Sequence, residues 1–433
     1  MRLNYKRTVL IGFGFMSILA FWQFYDLVIS FFLENIFHLG AFSANAIMAV
    51  DNVLAIFMLP LFGALSDKTN TRLGKRTPYI LFGTIAAVIL VPILGFFVEN
   101  RNFLGFVITL MALLVVMSTY RSPAVAYMPD VTEKPLRSKG NAIINLVGYI
   151  GGIFANFAVI LMLKSEKDEN GKSVYLEDQS FLPIFFVIAA FMLITVLIMV
   201  FSVNENKVLK ETNIKPDTDM VTGIKEKMPK PVFKSLILIL LSVFLWYVAY
   251  NSAITSLSRF CYEVWDTDLA AASKYTMVAT ITAIISFVPL GFLSSRFGRK
   301  KSVLFGILLV TAGYGSVIFM TRQTPLIYLT FAIVGIGWAA INVNSYPMVV
   351  EMSKGSDVGK YTGYYYTFSM AAQIVGPLLS GLLIDNAGIG YRILFPFAFV
   401  FSVLSFLTML FVKHGDGKPE KGKSLLENFD VDD

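Results

Sequence analysis

The stretch GALSDKTNTRLGKRTPYI, residues 63 to 80, combines a glycine, an acidic residue and a basic cluster directly after a long apolar block. Part of it returns 228 residues later, as GFLSSR at 291–296 followed by GRK at 298–300. A second pair has nearly the same spacing, because FWQFYD at 21–26 is matched by LWYVAYN at 245–251. Matching signals at a nearly constant offset indicate that the chain consists of two repeated halves.

The rest of the chain is mostly apolar. Hydrophobic residues make up 56% of the 433 and charged residues 15%, and the mean hydropathy is +0.68. The apolar residues form blocks of about 20, a length that crosses a ~30 Å hydrocarbon layer as a helix. Twelve such blocks occur, at 9–33, 42–66, 78–98, 102–122, 139–163, 181–202, 232–257, 270–293, 303–320, 325–349, 358–385 and 390–412. We therefore predict an all-α membrane protein with twelve transmembrane helices in two pseudo-symmetric six-helix halves.

Polar segments divide the chain between these halves. We place the first half at 1–202 and the second at 232–412. The lysine- and acid-rich segment 203–231 between them is interpreted as a cytoplasmic linker. The tail at 413–433 has too little apolar content to pack, and we predict that it is disordered and cytoplasmic.

The net charge of +7 reflects topology. If both termini face the cytoplasm, 28 of the 36 basic residues fall on that side, a bias that fixes orientation in a cell membrane. No basic patch is interleaved with aromatic residues, so we expect a bilayer as partner and no nucleic acid. One cysteine and two histidines provide no Cys- or His-based metal site and no nucleophile–base pair. We therefore expect no metal, no cofactor and no enzymatic activity, and we expect a monomer.

The stretch at 63–80 has the composition of a gate. Its acid lies at a helix end and can accept hydrogen bonds from the N-terminus of a neighbouring helix, while an arginine of the following turn pairs with it. Such a network on the inner face would latch the two halves shut in the outward-open state, although a plain basic loop is the alternative. The predicted gate residues are Gly63, Asp67, Arg72, Gly74, Lys75 and Arg76, with Arg121, Asp130 and Glu351 near other helix ends.

This stretch resembles the signature loop of the major facilitator superfamily. RLGKRTPYILFGT at 72–84, GFG at 12–14 and SPAVAYMPD at 122–130 resemble the glycoside–pentoside–hexuronide:cation symporter group, to which sucrose-type transporters are related. The resemblance implies a major facilitator fold and cation-coupled transport of a sugar or glycoside by alternating access.

The sodium site of the melibiose-permease pattern does not carry over. The two acids of its second helix correspond to Ala55 and Leu59, and the acids of its first and fourth helices to Leu19 and Arg121. The first two helices still contain acids, Asp26 and Asp51, but at other positions along each helix than in that pattern.

A carboxylate in mid-membrane costs roughly 2.5–3.5 kcal/mol on insertion scales and is therefore rarely kept without a use. Asp26 lies two-thirds along the first block, with Gln23 on the same helix face, and Asp51 lies in the second block. We predict that the two acids bind sugar hydroxyls, carry a coupling proton, or divide these tasks. The alternative for Asp26 is a structural ion pair with Arg121 or Arg259.

Polar and aromatic residues at helical spacing predict the rest of the site. Asn145 and Tyr149 lie one turn apart in the fifth block, and Tyr366 and Gln373 lie two turns apart in the eleventh. Polar side chains facing lipid would be costly, so these stripes are expected to face inward, although they could also be helix-packing contacts. Further predicted lining residues are Tyr25, Tyr250, Asn251, Trp338 and Asn342. Amides and aromatic rings together suit a polyhydroxylated ring.

These features predict a secondary transporter that takes up a sugar or glycoside together with a cation, a proton in preference to sodium. Two alternatives remain at this point. An exporter of drug-like compounds on the same fold would have a more aromatic and less amide-rich cavity. A non-transporting sugar sensor would need an output domain, and the 203–231 segment contains no recognisable one.

Overall fold

The structure is a computed structural model that describes residues 4–132, 137–163, 165–167, 173–175, 180–212, 229–350, 352 and 358–415. Within these ranges, twelve helices are long and apolar enough to cross a membrane. They occupy the twelve predicted positions, so the predicted architecture is confirmed.

The first span is built from three pieces, α1 (Tyr5–Phe24), a π-helical segment (Tyr25–Ile29) and α2 (Ser30–Asn35). The other spans of the first half are α3 (Ala41–Lys68), α4 (Thr77–Glu99), α5 (Phe103–Asp130), α6 (Arg137–Met162) and α7 (Leu182–Ser202).

The second half contains six spans and two short helical pieces. These are α9 (Lys230–Thr255), α10 (Leu257–Trp265), α11 (Leu269–Phe297), α12 (Arg299–Ile318), α13 (Leu326–Val350), α14 (Val358–Asn386), a 3₁₀ turn (Gly390–Ile393) and α15 (Leu394–Leu410).

The segments between spans add little regular structure. A helix, α8 (Glu205–Thr212), lies inside the segment interpreted as the linker. The short strands β1 (Ser165–Lys167) and β2 (Ser173–Tyr175) pair antiparallel in the loop between α6 and α7. Residues 213–228 of the predicted linker and 416–433 of the predicted tail lie outside the described ranges.

Helix packing follows the sequence repeat. In the first half α1 packs on α6, α4 on α5 and α3 on α5. The second half repeats each pairing, as α9 on α14, α12 on α13 and α11 on α13. Between the halves, α3 packs on α14 and α6 packs on α11. The two contacts are equivalent under the repeat, because α3 corresponds to α11 and α14 corresponds to α6. The two halves are therefore pseudo-symmetric in structure as well as in sequence.

The bundle has two ends, which differ in how closely the halves meet. We name the end that carries residues 63–80 the motif face and the opposite end the far face. On the far face the halves are in close contact, because a Cβ added to Gly381 of α14 would lie 2.8 Å from the Cα of Phe42 in α3. On the motif face, a Cβ added to Gly291 or Gly363 would meet nothing within 4 Å. The structure is thus closed at the far face.

Candidate functional site

A cavity of about 190 Å³ lies between the halves at mid-bundle. Its walls come from both halves, so access to it depends on how the halves are arranged. The polar lining residues are Asp26, Asp51, Asn52, Arg121, Asn251, Thr255 and Gln373, and the others include Trp22, Tyr25 and Pro377.

The structure brings the two predicted acids into this one cavity. Asp26 lies in the π-helical segment, a distortion that is frequent at functional sites. The Ser30 hydroxyl donates to the Asp26 backbone carbonyl at 2.6 Å, and the Tyr25 hydroxyl donates to the Met48 carbonyl at 3.0 Å. The first bond lies within the span, and the second holds the distorted segment against α3.

The two carboxylates differ in their partners. The Asn52 side-chain amide donates to Asp51 Oδ1 at 2.7 Å, which fixes the orientation of this carboxylate. Among the described residues, no side chain donates a hydrogen bond to the Asp26 carboxylate. Asp26 is therefore the carboxylate whose oxygens remain available in the cavity.

Arg121 lines this cavity, which corrects its prediction as a gate residue. Its guanidinium carbon lies 5.1 Å from the Trp22 ring centroid, and it is within electrostatic range of both Asp51 and Asp26. The reason is the length of α5, which continues to Asp130. The nine residues from Arg121 to Asp130 span about 13 Å of helix, so Arg121 lies at the level of the acids and not at the motif face.

The other arginine that was considered as a partner for Asp26 lies elsewhere. Arg259 is on the far face, where its Nε lies 3.5 Å from the carboxylate of Glu34. Asp26 therefore shares its surroundings with Arg121 and not with Arg259.

Four predicted lining residues surround a second, smaller cavity of about 60 Å³. These are Gln23, Tyr149, Tyr250 and Trp338. The Tyr250 and Trp338 rings stack with centroids 3.8 Å apart and planes at 9°. The two cavities are adjacent, because consecutive residues of the first span and of α9 line one and then the other.

Three predicted residues line neither cavity. The Asn342 amide donates to the Trp338 carbonyl of its own helix at 2.9 Å. Tyr366 is 51% exposed, although it remains within electrostatic range of Arg121. Asn145 has a partner elsewhere. Of the predicted stripe residues, only Tyr149 and Gln373 therefore reach a cavity.

The predicted gate residues form a network around the buried side chain of Arg76. Arg76 pairs with Asp67, and its Nε lies 2.7 Å from Asp130 Oδ2. It also donates to the Ser66 hydroxyl and, at 3.1 Å, to the Gly63 carbonyl. Lys75 Nζ lies 2.9 Å from the same Asp130 oxygen. The Arg72 carbonyl accepts from the Asn206 amide at 3.0 Å.

The acceptor at a helix N-terminus is Glu205, not Asp67 as predicted. Its carboxylate accepts from the backbone N–H groups of Lys75 at 3.1 Å, Arg76 at 3.0 Å and Thr77 at 2.9 Å, and from the Thr77 hydroxyl at 2.8 Å. These groups form the start of α4, where a negative charge is favourable. Glu205 is 1% exposed. Its position in α8 could not be recognised in the sequence, because 128 residues separate it from Thr77.

The latch between the halves was predicted for the outward-open state, whereas this structure is closed at the far face, so the latch itself stays a prediction. The gate residues with described partners lie in α3, α5 and the loop between α3 and α4, and the partners outside this set belong to the start of α4 and to α8, which directly follows the first half. Glu351, predicted as the second-half member, lies outside the described ranges. The separation of the halves at Gly291 and Gly363 is consistent with a network that stays within one half.

Comparison with known proteins identifies the family. A model of the MFS/sugar transport protein family matches residues 10–414. The chain is 24% identical over 387 residues to a protein named an uncharacterized symporter from Bacillus subtilis strain 168, covering 83% of this chain and 78% of that one. It is 20% identical over 288 residues to the isoprimeverose transporter of Lactiplantibacillus pentosus, covering 65% of this chain and 58% of that one.

Solved structures give the same fold. The crystal structure of a D-xylose–proton symporter superposes with a TM-score of 0.68 at 15% sequence identity, covering 95% of this chain and 99% of that one. A likeness at this identity shows the fold alone. Together with the family match, it shows that this chain is an integral membrane transporter and not an enzyme, and that it belongs to the MFS/sugar transport protein family.

Proposed function

We propose that this protein is a symporter that takes up a sugar or glycoside with a proton by alternating access. The observation that carries the proposal is the composition of the central cavity, where two carboxylates face one guanidinium among amide side chains. With both acids ionised, Asp26, Asp51 and Arg121 leave one uncompensated negative charge in mid-membrane. Such a charge is costly, so binding one monovalent cation favours reorientation of the loaded carrier.

The partners of the two acids suggest a division of roles. Asp51 is oriented by Asn52 and suits a fixed acceptor for sugar hydroxyls. Asp26 has an available carboxylate and suits the site of protonation. When Asp26 takes up a proton, Arg121 loses one of its two carboxylate partners and its donors are directed to Asp51 and the substrate.

A proton fits this cavity better than sodium. A proton needs a single carboxylate oxygen, whereas sodium needs several oxygens around one point. The Arg121 guanidinium lies near both acids, so a metal cation placed between them would be close to an existing positive charge.

The remaining lining groups support a sugar. Asn251 and Gln373 line the cavity with amides that both donate and accept hydrogen bonds. The stacked rings of Tyr250 and Trp338 lie next to it and provide an apolar surface for a ring face. The name of one relative, an isoprimeverose transporter, agrees with such a substrate, and the name of another, a symporter, agrees with coupled transport.

The orientation in the membrane follows from charge. With Arg121 assigned to the cavity, 27 of the 36 basic residues belong to segments for which the sequence predicts the motif-face side. The positive-inside rule then places the motif face and both termini in the cytoplasm. In this orientation the structure is closed to the outside.

Transport in proteoliposomes tests the proposal. Uptake of a panel of mono- and disaccharides would be measured under an imposed pH gradient, an imposed sodium gradient, and neither. We expect one class of sugar to accumulate under the pH gradient alone. Accumulation under the sodium gradient alone would contradict the proton assignment, and no accumulation of any sugar under any gradient would contradict the substrate class.

A further inference from the structure

We infer that two clusters on the far face form a releasable lock between the halves, one around Asp385 and one around Glu34. The inference rests on the alternating-access part of the proposed function, because it names the contacts that must break before the far face can open. It does not depend on the identity of the substrate or of the coupling ion.

Asp385, near the end of α14, caps a helix of the other half. Its Oδ1 accepts from the backbone N–H of Ala41 and its Oδ2 from that of Phe42, both at 2.9 Å. These N–H groups belong to the first turn of α3 and have no partner within their own helix. The residue at the N-cap of α3 is Gly40, which has no side chain to cap it. The cap of α3 is therefore supplied by the second half.

Two glycines leave the room that this contact requires. A Cβ on Gly40 would lie 3.0 Å from Asp385 Oδ2. A Cβ on Gly381, one turn before Asp385, would lie 2.8 Å from the Cα of Phe42. Both glycines lie at the crossing of α3 and α14, so the sequence allows close approach at the point where the cap forms.

The second cluster surrounds Glu34, a buried acid at the end of the first span that is 5% exposed. The Tyr391 hydroxyl donates to its carboxylate, and Arg259 Nε lies 3.5 Å from the same oxygen. Arg259 also donates to the Asn35 side chain. Tyr391 and Arg259 belong to the second half, whereas Glu34 and Asn35 belong to the first.

Arg259 has a further partner that stays within its own half. Its NH2 group lies 2.8 Å from Glu263 one turn along α10. Glu34 and Glu263 therefore bind the same guanidinium, but only the Glu34 contact joins the halves. This pair provides a matched comparison.

Beneath the lock, each crossing between the halves contains a buried amide contact. The Asn45 amide of α3 donates to the Pro377 carbonyl of α14 at 2.8 Å. The Thr276 hydroxyl of α11 donates to the side-chain Oδ1 of Asn156 in α6 at 3.1 Å. Asn45 Oδ1 and Asn156 Nδ2 are buried without a partner. In each asparagine amide, one polar atom is thus hydrogen-bonded and the other is not. This layer closes the cavity without charged groups, whereas the outer lock contains charged groups.

The hydrogen bonds and ion pairs that join described residues of the two halves thus lie at or beyond the cavity toward the far face. Among the described residues the motif-face network makes no contact with the second half. The far-face lock, the buried amide contacts and the Ser165 hydroxyl, which donates to Asp268 Oδ2 at 2.8 Å, therefore provide the polar stabilisation of this state. Weakening the lock is expected to shift the population toward the opposite state.

Distances between spin labels on the two halves test the lock without any substrate. Cys261 is the only cysteine, so Cys261→Ser gives a background for labelling. One label pair replaces Leu104 and Leu326 on the far face, and a second pair replaces Phe201 and Phe297 on the motif face; all four side chains are exposed. Asp385→Ala removes the first cluster, and Glu34→Gln removes the negative charge of the second. Asp385→Asn keeps one acceptor oxygen and provides a graded variant.

We expect Asp385→Ala and Glu34→Gln to add a longer far-face distance and a shorter motif-face distance. The ratio of closed to open far face should fall about tenfold, the effect of losing one charge-assisted hydrogen bond, with Asp385→Asn between wild type and alanine. Glu263→Gln and Asn102→Ala, which remove contacts within one half, should leave both distributions unchanged.

Unchanged distances in monodisperse Asp385→Ala, Asp385→Asn and Glu34→Gln would overturn the lock, as would equal shifts in the two control variants. If the distances shift but no sugar is transported by the wild type, the lock stands and the substrate proposal fails. If sugar is transported with a proton but the distances do not shift, the substrate proposal stands and the lock fails.

Discussion

The guanidinium carbon of Arg121 lies 5.1 Å from the ring centroid of Trp22, and Arg121 is the arginine that, among the described residues, lines the central cavity. In the described part of the chain, no ion pair within 4 Å joins Arg121 to either cavity acid. The guanidinium is therefore positioned by an aromatic face and remains able to change partners when a carboxylate takes up a proton or a substrate binds.

Trp22 is accordingly expected to affect substrate affinity through Arg121. Trp22→Phe retains a ring face, whereas Trp22→Leu removes it. A cation–π contact contributes about 1 kcal/mol when it is partly desolvated, so we expect Trp22→Leu to weaken substrate binding about fivefold and Trp22→Phe to weaken it less. Equilibrium binding of the transported sugar measures this. Equal affinities for the leucine and phenylalanine variants would show that the ring face does not position Arg121.

Substitution of each cavity acid should affect a different activity, either sugar exchange across the membrane or uphill sugar accumulation. Asp26→Asn removes the proposed protonation site but keeps a polar side chain of the same shape. We expect this variant to exchange labelled for unlabelled sugar across the membrane while losing uphill accumulation. Asp51→Asn should lower exchange itself, because it removes the oriented acceptor for sugar hydroxyls. Counterflow and accumulation assays on both variants provide the comparison, and loss of exchange in Asp26→Asn alone would reverse the two assignments.

Tyr250 should contribute through its stacked ring more than through its hydroxyl. The ring stacks on Trp338 at 3.8 Å, and an aromatic pair contributes about 1 kcal/mol beyond its buried area. Tyr250→Phe keeps the stack and Tyr250→Leu removes it. We expect sugar affinity to decrease about fivefold more in the leucine variant. A larger loss in the phenylalanine variant would indicate that the hydroxyl is the contributing group.

Glu205 should be among the most sensitive positions for stability outside the transport site. Glu205→Ala leaves the first N–H groups of α4 without their acceptor in a buried place, at a cost of about 3 kcal/mol. We expect a clearly lower thermal unfolding temperature in detergent. Asn206→Ala, which removes exposed hydrogen bonds from the same helix, provides the control and should have a small effect. Similar unfolding temperatures for both variants would contradict the buried cap.

Gly74 should be coupled to Glu205. Its φ is +117°, and an added Cβ would lie 2.2 Å from Glu205 Oε2. Gly74→Ala is therefore expected to destabilise both through strain and by displacing the carboxylate. In the double variant Gly74→Ala/Glu205→Ala the clash disappears, so the loss should be smaller than the sum of the two single losses. Additive losses in thermal unfolding would show that only backbone strain operates at Gly74.

The architecture and part of the site follow from local sequence signals. Apolar block length predicts all twelve spans, and the two acids in apolar surroundings predict a shared cavity. Arg121 was misplaced because its apolar block ends at 122, whereas the helix continues to Asp130. The role of Glu205 and the far-face clusters depend on contacts between distant segments, which no periodicity reveals. The π-helical segment likewise depends on Tyr25 reaching the Met48 carbonyl in another helix.

The most direct test of proton-coupled sugar uptake is the external pH of a lightly buffered, de-energised cell suspension when sugar is added. We predict a transient alkaline shift with the transported sugar, unaffected by sodium and abolished in Asp26→Asn. Glu99→Gln, an acid that binds the backbone of Phe181 away from the cavity, should retain the shift. Sugar entry without any alkaline shift, or an unchanged shift in Asp26→Asn, would contradict the proposed coupling through this cavity.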